Sequence, residues 1–123
     1  MIRTAILIDG GFYRKRAKAI KGELSGEERA KELFQYCMGH IYPKNNDKKN
    51  DHSLNEQQSL YKKQVDRIIL IAGDSDFVPA AKLARREGLD FILDPMWSPI
   101  NDRLFEHIDG LYSVWPDPSK KNK

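Results

Sequence analysis

Asp74 and Asp76 stand one residue apart in RIILIAGDSDF (67–77), and Asp9 stands in AILIDGGF (5–12). In both stretches an apolar run stops at acid, where a carboxylate opposes core formation. If the two runs are neighbouring strands, their ends lie about 5 Å apart, so Asp9, Asp74 and Asp76 crowd one spot. Carboxylates that close raise one another's pKa and destabilise the fold. A hard divalent cation removes that conflict. Mg²⁺ or Mn²⁺ prefers oxygen ligands, keeps several waters and takes few carboxylates from protein. Such an ion can activate water for in-line attack on a phosphodiester and stabilise the charge that develops.

Each acid also has an ordinary structural use. Ser75 or Asp76 can cap the helix that follows, and Asp9 before Gly-Gly can be a turn residue. Asp94, which ends LDFILD (89–94) before Pro95, is expected to be a turn residue rather than a ligand. Taken singly the structural uses win. Two acid-bearing strand ends of the same kind favour a shared site.

The elements that must position these acids follow from hydrophobic pattern. Thr4 to Ile8 reads as a buried strand ended by Asp-Gly-Gly, and Arg67 to Ala72 (RIILIA) as a second. LDFILD is a third, and LYSVW (111–115) a candidate last strand. Residues 12–21 suit a helix with Phe12, Ala17 and Ile20 inward, stopped by Gly22. SGEERAKELFQYCMGHIY (25–42) is a helix capped by Ser25, with Glu27 and Glu28 at its positive end. Its expected apolar stripe is Ala30, Leu33, Phe34, Cys37 and Ile41. Phe77 to Glu87 is a helix with Phe77, Ala80, Ala81 and Ala84 inward, Pro79 in its first turn and Gly88 at its end. DRLFEHIDG (102–110) offers a short helix. Between them, PKNNDKKND (43–51) is a polar loop, followed by a capped helix in SLNEQQSLYKK (53–63). Strands alternating with helices predict an open, mainly parallel α/β sheet with helices on both faces. In such sheets the working site lies beyond the carboxyl ends of the strands.

The bulk properties agree with one soluble domain. At 123 residues, 40% hydrophobic and 32% charged, the chain can bury a single core without staples. Residues 1–116 form the expected domain and 117–123 a basic tail. One cysteine excludes an internal disulfide and suits a reducing compartment. Cys37, among apolar residues, is expected in the core. No apolar run approaches membrane length and no signal-peptide pattern opens the chain, so a cytoplasmic protein is expected. A net charge of +3 and a pI near 9.0 permit a nucleic-acid partner without requiring one. Arg14, Lys15 and Arg16 follow the first acid and can face a phosphate backbone or plain solvent, while Arg85 and Arg86 complement a helix dipole. Phe12, Tyr13 and Trp97 could each stack on a base, with core packing the preferred reading for Phe12 and Trp97. His40, His52 and His107 show no metal-ligand spacing and are expected to be structural or exposed.

AILIDGGFYRKR (5–16) together with IILIAGDSDFVPAAKLARREGLDFILD (68–94) resembles the NYN family, the LabA-like branch of the PIN-like nuclease superfamily. The resemblance covers residues 1–41 and 59–113. It implies an α/β/α sandwich and a Mg²⁺- or Mn²⁺-dependent ribonuclease acting on single-stranded or structured RNA. By motif, Asp9 matches the family's first acid, and Asp74 and Asp76 match the pair in its Gly-Asp-Ser-Asp motif. Ser75 would hold a ligand or touch phosphate. Family members usually carry a further strand and a Lys-Gly-hydrophobic-Asp motif before the GDSD strand. Here that segment is shortened. Lys48 and Asp51 keep the Lys-x-x-Asp spacing, making Asp51 the candidate fourth ligand, although Lys44 and Asp47 fit the same spacing. The shortening leaves a second reading open, a weakly active or inactive RNA-binding or protein-interaction module. It also implies an exposed sheet edge through which the chain could form a homodimer. A phosphatase-like hydrolase using the same acids is the weakest alternative.

Overall fold

The computed structural model describes residues 2–42, 65–73 and 77–120. The expected loop and helix of residues 43–63, with Asp51 and His52, lie outside the described residues, as do Asp74, Ser75 and Asp76.

Three apolar runs form the expected strands. They are β1 (Thr4–Ile8), β2 (Arg67–Ile71) and β3 (Asp90–Asp94), joined by a two-residue β4 (Gly110–Leu111). All pair in parallel in the order β1-β2-β3-β4, with Ile8 opposite Ile71 and Ile71 opposite Asp94. The side-chain period of two then splits the sheet into two faces. On one, Ile6 and Ile71 pack with Tyr13, Ala17, Tyr36 and Met96. On the other, Ile68, Leu70, Phe91 and Leu93 pack with Phe77, Ala81 and Ala84. The first face is covered by α1 (Gly10–Lys21) and α2 (Gly26–Ile41), the second by α3 (Val78–Arg86). The chain is therefore an α/β fold with an open parallel sheet and helices on both faces. Among the described residues, no helix is long and apolar enough to cross a membrane.

Local chemistry explains the helix ends. Ser25 caps α2 and Glu28 answers to the Ser25 backbone, a complete capping box. Pro79 sits in the first turn of α3, where its missing N–H costs nothing. Gly88 takes φ 75° just past the end of that helix, a conformation that glycine adopts without strain. Arg85, in its last turn, donates Nη2 to the Glu106 carbonyl at 2.9 Å, tying α3 to a 3-10 helix at Asp102–His107.

Three expectations are corrected and a fourth is extended. β1 is an edge strand of the described sheet and leaves Leu7 and Ile8 45% and 37% exposed, so it is not buried throughout. Of LYSVW only Leu111 lies in the strand, with the Tyr112 N–H still donated to the Leu93 carbonyl at 3.1 Å. On α1, Ala17 is buried and Phe12 packs against the same core cluster as expected, Ile20 is half-buried, and Tyr13 is a further buried residue that the apolar pattern missed. The buried stripe of α2 is Arg29, Tyr36 and His40, with Leu33 and Cys37 beside it, while Ala30, Phe34 and Ile41 face outward. That stripe still has helical spacing, but polar groups occupy it because each finds a hydrogen-bond partner. Arg29 donates to the Gly22 carbonyl at 2.5 and 3.1 Å, and Tyr13 donates its hydroxyl to Glu32 at 2.7 Å.

Candidate functional site at the strand ends

β1 ends at Ile8, and Asp9 follows as the N-cap of α1. Its carboxylate accepts the Phe12 N–H at 3.1 Å, while its own N–H donates to the Ile71 carbonyl at 2.9 Å. That second bond continues the β1–β2 ladder one step beyond the strands. The segment bearing Asp9 and the segment leading to GDSD thus leave the sheet side by side, as the shared-site reading requires. Gly73 tightens the arrangement. A Cβ built there would meet the Phe12 ring at 3.3–3.4 Å, so a larger side chain would crowd that ring.

Asp9 is solvent-exposed. It serves as helix cap and remains open to solution, and an oxygen donor at that place fits one ligand of a hard divalent cation. Among the described residues, no three His, Cys, Asp or Glu side chains gather to hold a metal. The N-cap of α3 is Phe77, fully buried and without a side-chain cap bond. The expected caps, Ser75 and Asp76, lie outside the described residues.

The third strand-end acid is a turn residue as expected, since its side chain accepts the N–H of Met96 two residues on, and it does more besides. Asp94 is 0% exposed and accepts four hydrogen bonds. Tyr36 OH and His40 Nε2 reach Oδ2 at 2.5 and 2.6 Å, and Ser113 Oγ and the Met96 N–H reach Oδ1 at 2.9 Å each. A carboxylate has about four lone-pair sites, so none is left for a metal. Asp94 instead welds α2, the end of β3 and the segment after β4 into one unit. Aromatic rings enclose it. Tyr36 meets Trp115 edge-on at 4.8 Å, and His40 meets Tyr112 at 5.4 Å. Burial, with the Asp94 charge second, pushes the Tyr36 hydroxyl well above the usual tyrosine range. The Cys37 thiol is likewise pushed up by burial and then by Asp94, which disfavours the nucleophilic thiolate. His40 is therefore structural, and Cys37 packs as a core residue. His107 is half-buried beside the Glu106 carboxylate at 3.7 Å.

The sequence carried a signal for Asp94 that composition alone hides. In a strand covered on both faces, Asp94 shares the Ile92 side and must point inward. Tyr36 and His40, four apart on α2, are the matching pair of polar groups on one helix face.

The basic run divides. Arg14 and Lys15 are exposed, whereas Arg16 is half-buried and forks onto the Met96 carbonyl through Nε at 3.1 Å and Nη2 at 2.7 Å. Met96 and Trp97 have φ of 50° and 66°, left-handed values that cost non-glycine residues on the order of 1–3 kcal/mol each. Asp94 and Arg16 grip the Met96 peptide from its two ends and hold that turn. Trp97, expected in the core, is instead 43% exposed, with its indole N–H donated to the Trp115 carbonyl at 2.8 Å. Compared with protein-family models, curated proteins and solved structures, the chain finds no match.

Proposed function

We propose that the chain is a Mg²⁺- or Mn²⁺-dependent ribonuclease of the NYN/PIN-like type. Asp9, Asp74 and Asp76 would be its metal-binding acids, Asp51 a candidate fourth, and Ser75 an aid to ligand or phosphate positioning. The observation that carries the reading is the Asp9 N–H to Ile71 carbonyl bond, which sets IDGG beside the strand that runs into GDSD. When bound, the metal would supply an activated water and charge stabilisation for phosphodiester hydrolysis. The chain's own part is to hold the acids at adjacent strand ends and to present Arg14 and Lys15 to the phosphate backbone. The cap duty of Asp9 favours a second reading, in which the acid is kept for folding and the domain binds RNA or protein without cutting. In either case the sheet edge at β1 could serve a homodimer.

Metal binding separates the two readings. With Mn²⁺ at a hundred times its Kd, a single site stabilises the folded state by about 2.7 kcal/mol. The wild-type melt should rise accordingly, and the Asp74→Asn melt should not. Equal shifts for both proteins contradict the assignment.

The basic residues give a second test. Replacing Arg14 and Lys15 with Ala should lower the slope of log affinity against log salt by about 1.4, since each phosphate contact on a single strand adds about 0.7. Arg16→Ala should lower stability and leave the slope unchanged, because its guanidinium is committed to Met96. An unchanged slope in the double variant assigns Arg14 and Lys15 to a solvated helix face.

A further inference from the structure

A pocket of 260 Å³ opens beyond the ends of β3 and β4, beside the Asp94 network and apart from the proposed metal site. Trp97, Ile100, Phe105, Leu111 and Tyr112 form its apolar wall, and Ser98 adds a hydroxyl, while Ser113 lines it with its own hydroxyl donated to Asp94. Among the described residues, no charged side chain lines it. Four of the wall residues remain well exposed, Trp97 and Phe105 at 43%, Leu111 at 50% and Tyr112 at 36%.

We infer that this pocket is a binding site for one unpaired nucleobase of an RNA whose phosphodiester lies at Asp9. The inference rests on the ribonuclease reading for the identity of the polymer, and on the pocket's own construction for the base. The volume falls just below the roughly 300–1,000 Å³ of sites for drug-sized ligands, which suits a single flat ring system. The indole of Trp97 is a fixed platform. Its N–H is bonded to Trp115, and its backbone sits in a left-handed turn closed by the Ser98 N–H to Pro95 carbonyl bond at 2.9 Å. Met96, one residue earlier, is buried and gripped by Asp94 and Arg16. Backbone strain is thus retained at a turn that displays an aromatic ring to solvent, and strain of that kind marks binding sites more often than cores. Every base offers a π-face to such a platform, and a serine hydroxyl can meet a base edge as donor or acceptor.

The position also fits. All four strands are parallel, so the pocket and Asp9 both lie along the carboxyl-terminal edge of the sheet, where the strands end. From β1 to β3 is two strand spacings, roughly 10 Å, and to β4 three, roughly 14 Å. A strand of RNA crossing that edge can place a phosphate at Asp9 and the base of a nearby nucleotide over Trp97. An apolar peptide side chain would fill the wall equally well, but it would gain nothing from the aligned phosphate site.

The test is a binding titration under chelator, read by fluorescence, with a short single-stranded oligoribonucleotide and an abasic oligomer of the same length and charge. Wild type should bind the base-bearing oligomer at least about fivefold tighter, the scale of one base stacked on an aromatic side chain. Trp97→Ala should bring that ratio towards one while leaving abasic affinity unchanged, and Phe105→Ser should do the same if Trp97→Ala disturbs the turn. A ratio unaltered in both variants, no binding of either oligomer, or binding of an apolar peptide instead overturns the proposal. Failure of the two ideas is separable. Base preference without Mn²⁺-dependent cleavage sinks hydrolysis alone, and cleavage lost in Asp74→Asn without base preference sinks the pocket alone.

Discussion

Asp94→Ala should cost the protein about 3–5 kcal/mol, the range for removing one partner from a buried charged network. The substitution deletes the acceptor of four donors that lie away from water, Tyr36 OH, His40 Nε2, Ser113 Oγ and the Met96 N–H. A buried donor left unsatisfied costs about 1–3 kcal/mol, and relaxation of neighbouring side chains keeps the total below the full sum. Typical domains have only 5–15 kcal/mol to lose. Asp94→Asn should cost less, about 1–3 kcal/mol, because its oxygen still serves the Oδ1 donors while its amide conflicts with those at Oδ2. Urea unfolding of the three proteins measures both values. A loss under about 1 kcal/mol for Asp94→Ala would mean that the carboxylate is not the tie between α2, β3 and the C-terminal segment.

The second large effect concerns Asp9, whose observed cap role and proposed metal-binding role separate by choice of substitution. Asparagine caps a helix as well as aspartate does, whereas alanine gives up about 1 kcal/mol of capping. Asp9→Asn should therefore fold with stability close to wild type and lose cleavage at least about a hundredfold, the scale for deleting one preorganised electrostatic group. Asp9→Ala should lose both. Full RNA cleavage by Asp9→Asn would show that the residue acts as a cap alone, in line with the Phe12 N–H bond.

How far these features are legible in the sequence depends on the range of the interactions behind them. β1, β2 and β3 come from local runs of apolar and β-branched residues, and each was read to within a residue or so. The Ser25 cap was legible too, since its partner Glu28 lies three residues away. The phase of α2 was not. Counting apolar residues favours Phe34 and Ile41, yet Tyr36 and His40 turn inward because Asp94, 54 residues beyond His40, waits for them. No local pattern encodes that pairing. Trp97 fails for a similar reason. Its exposure follows from a left-handed turn fastened by Arg16, which is 80 residues from Met96. For the site itself, neighbouring strand ends and the place of Asp9 follow from the acid-terminated runs. The division of Arg14, Lys15 and Arg16 depends on which side of α1 meets the β3 turn.

The central claim is that acids at two adjacent strand ends hold a metal that cuts RNA. End-labelled single-stranded RNA incubated with the wild-type chain across a Mn²⁺ series, beside Asp74→Asn purified in parallel, tests it most directly. The account predicts internal cleavage that grows with Mn²⁺, stops with chelator and falls at least about a hundredfold in the variant. Intact RNA with the folded wild type at every Mn²⁺ concentration, or equal cleavage by both proteins, would contradict it.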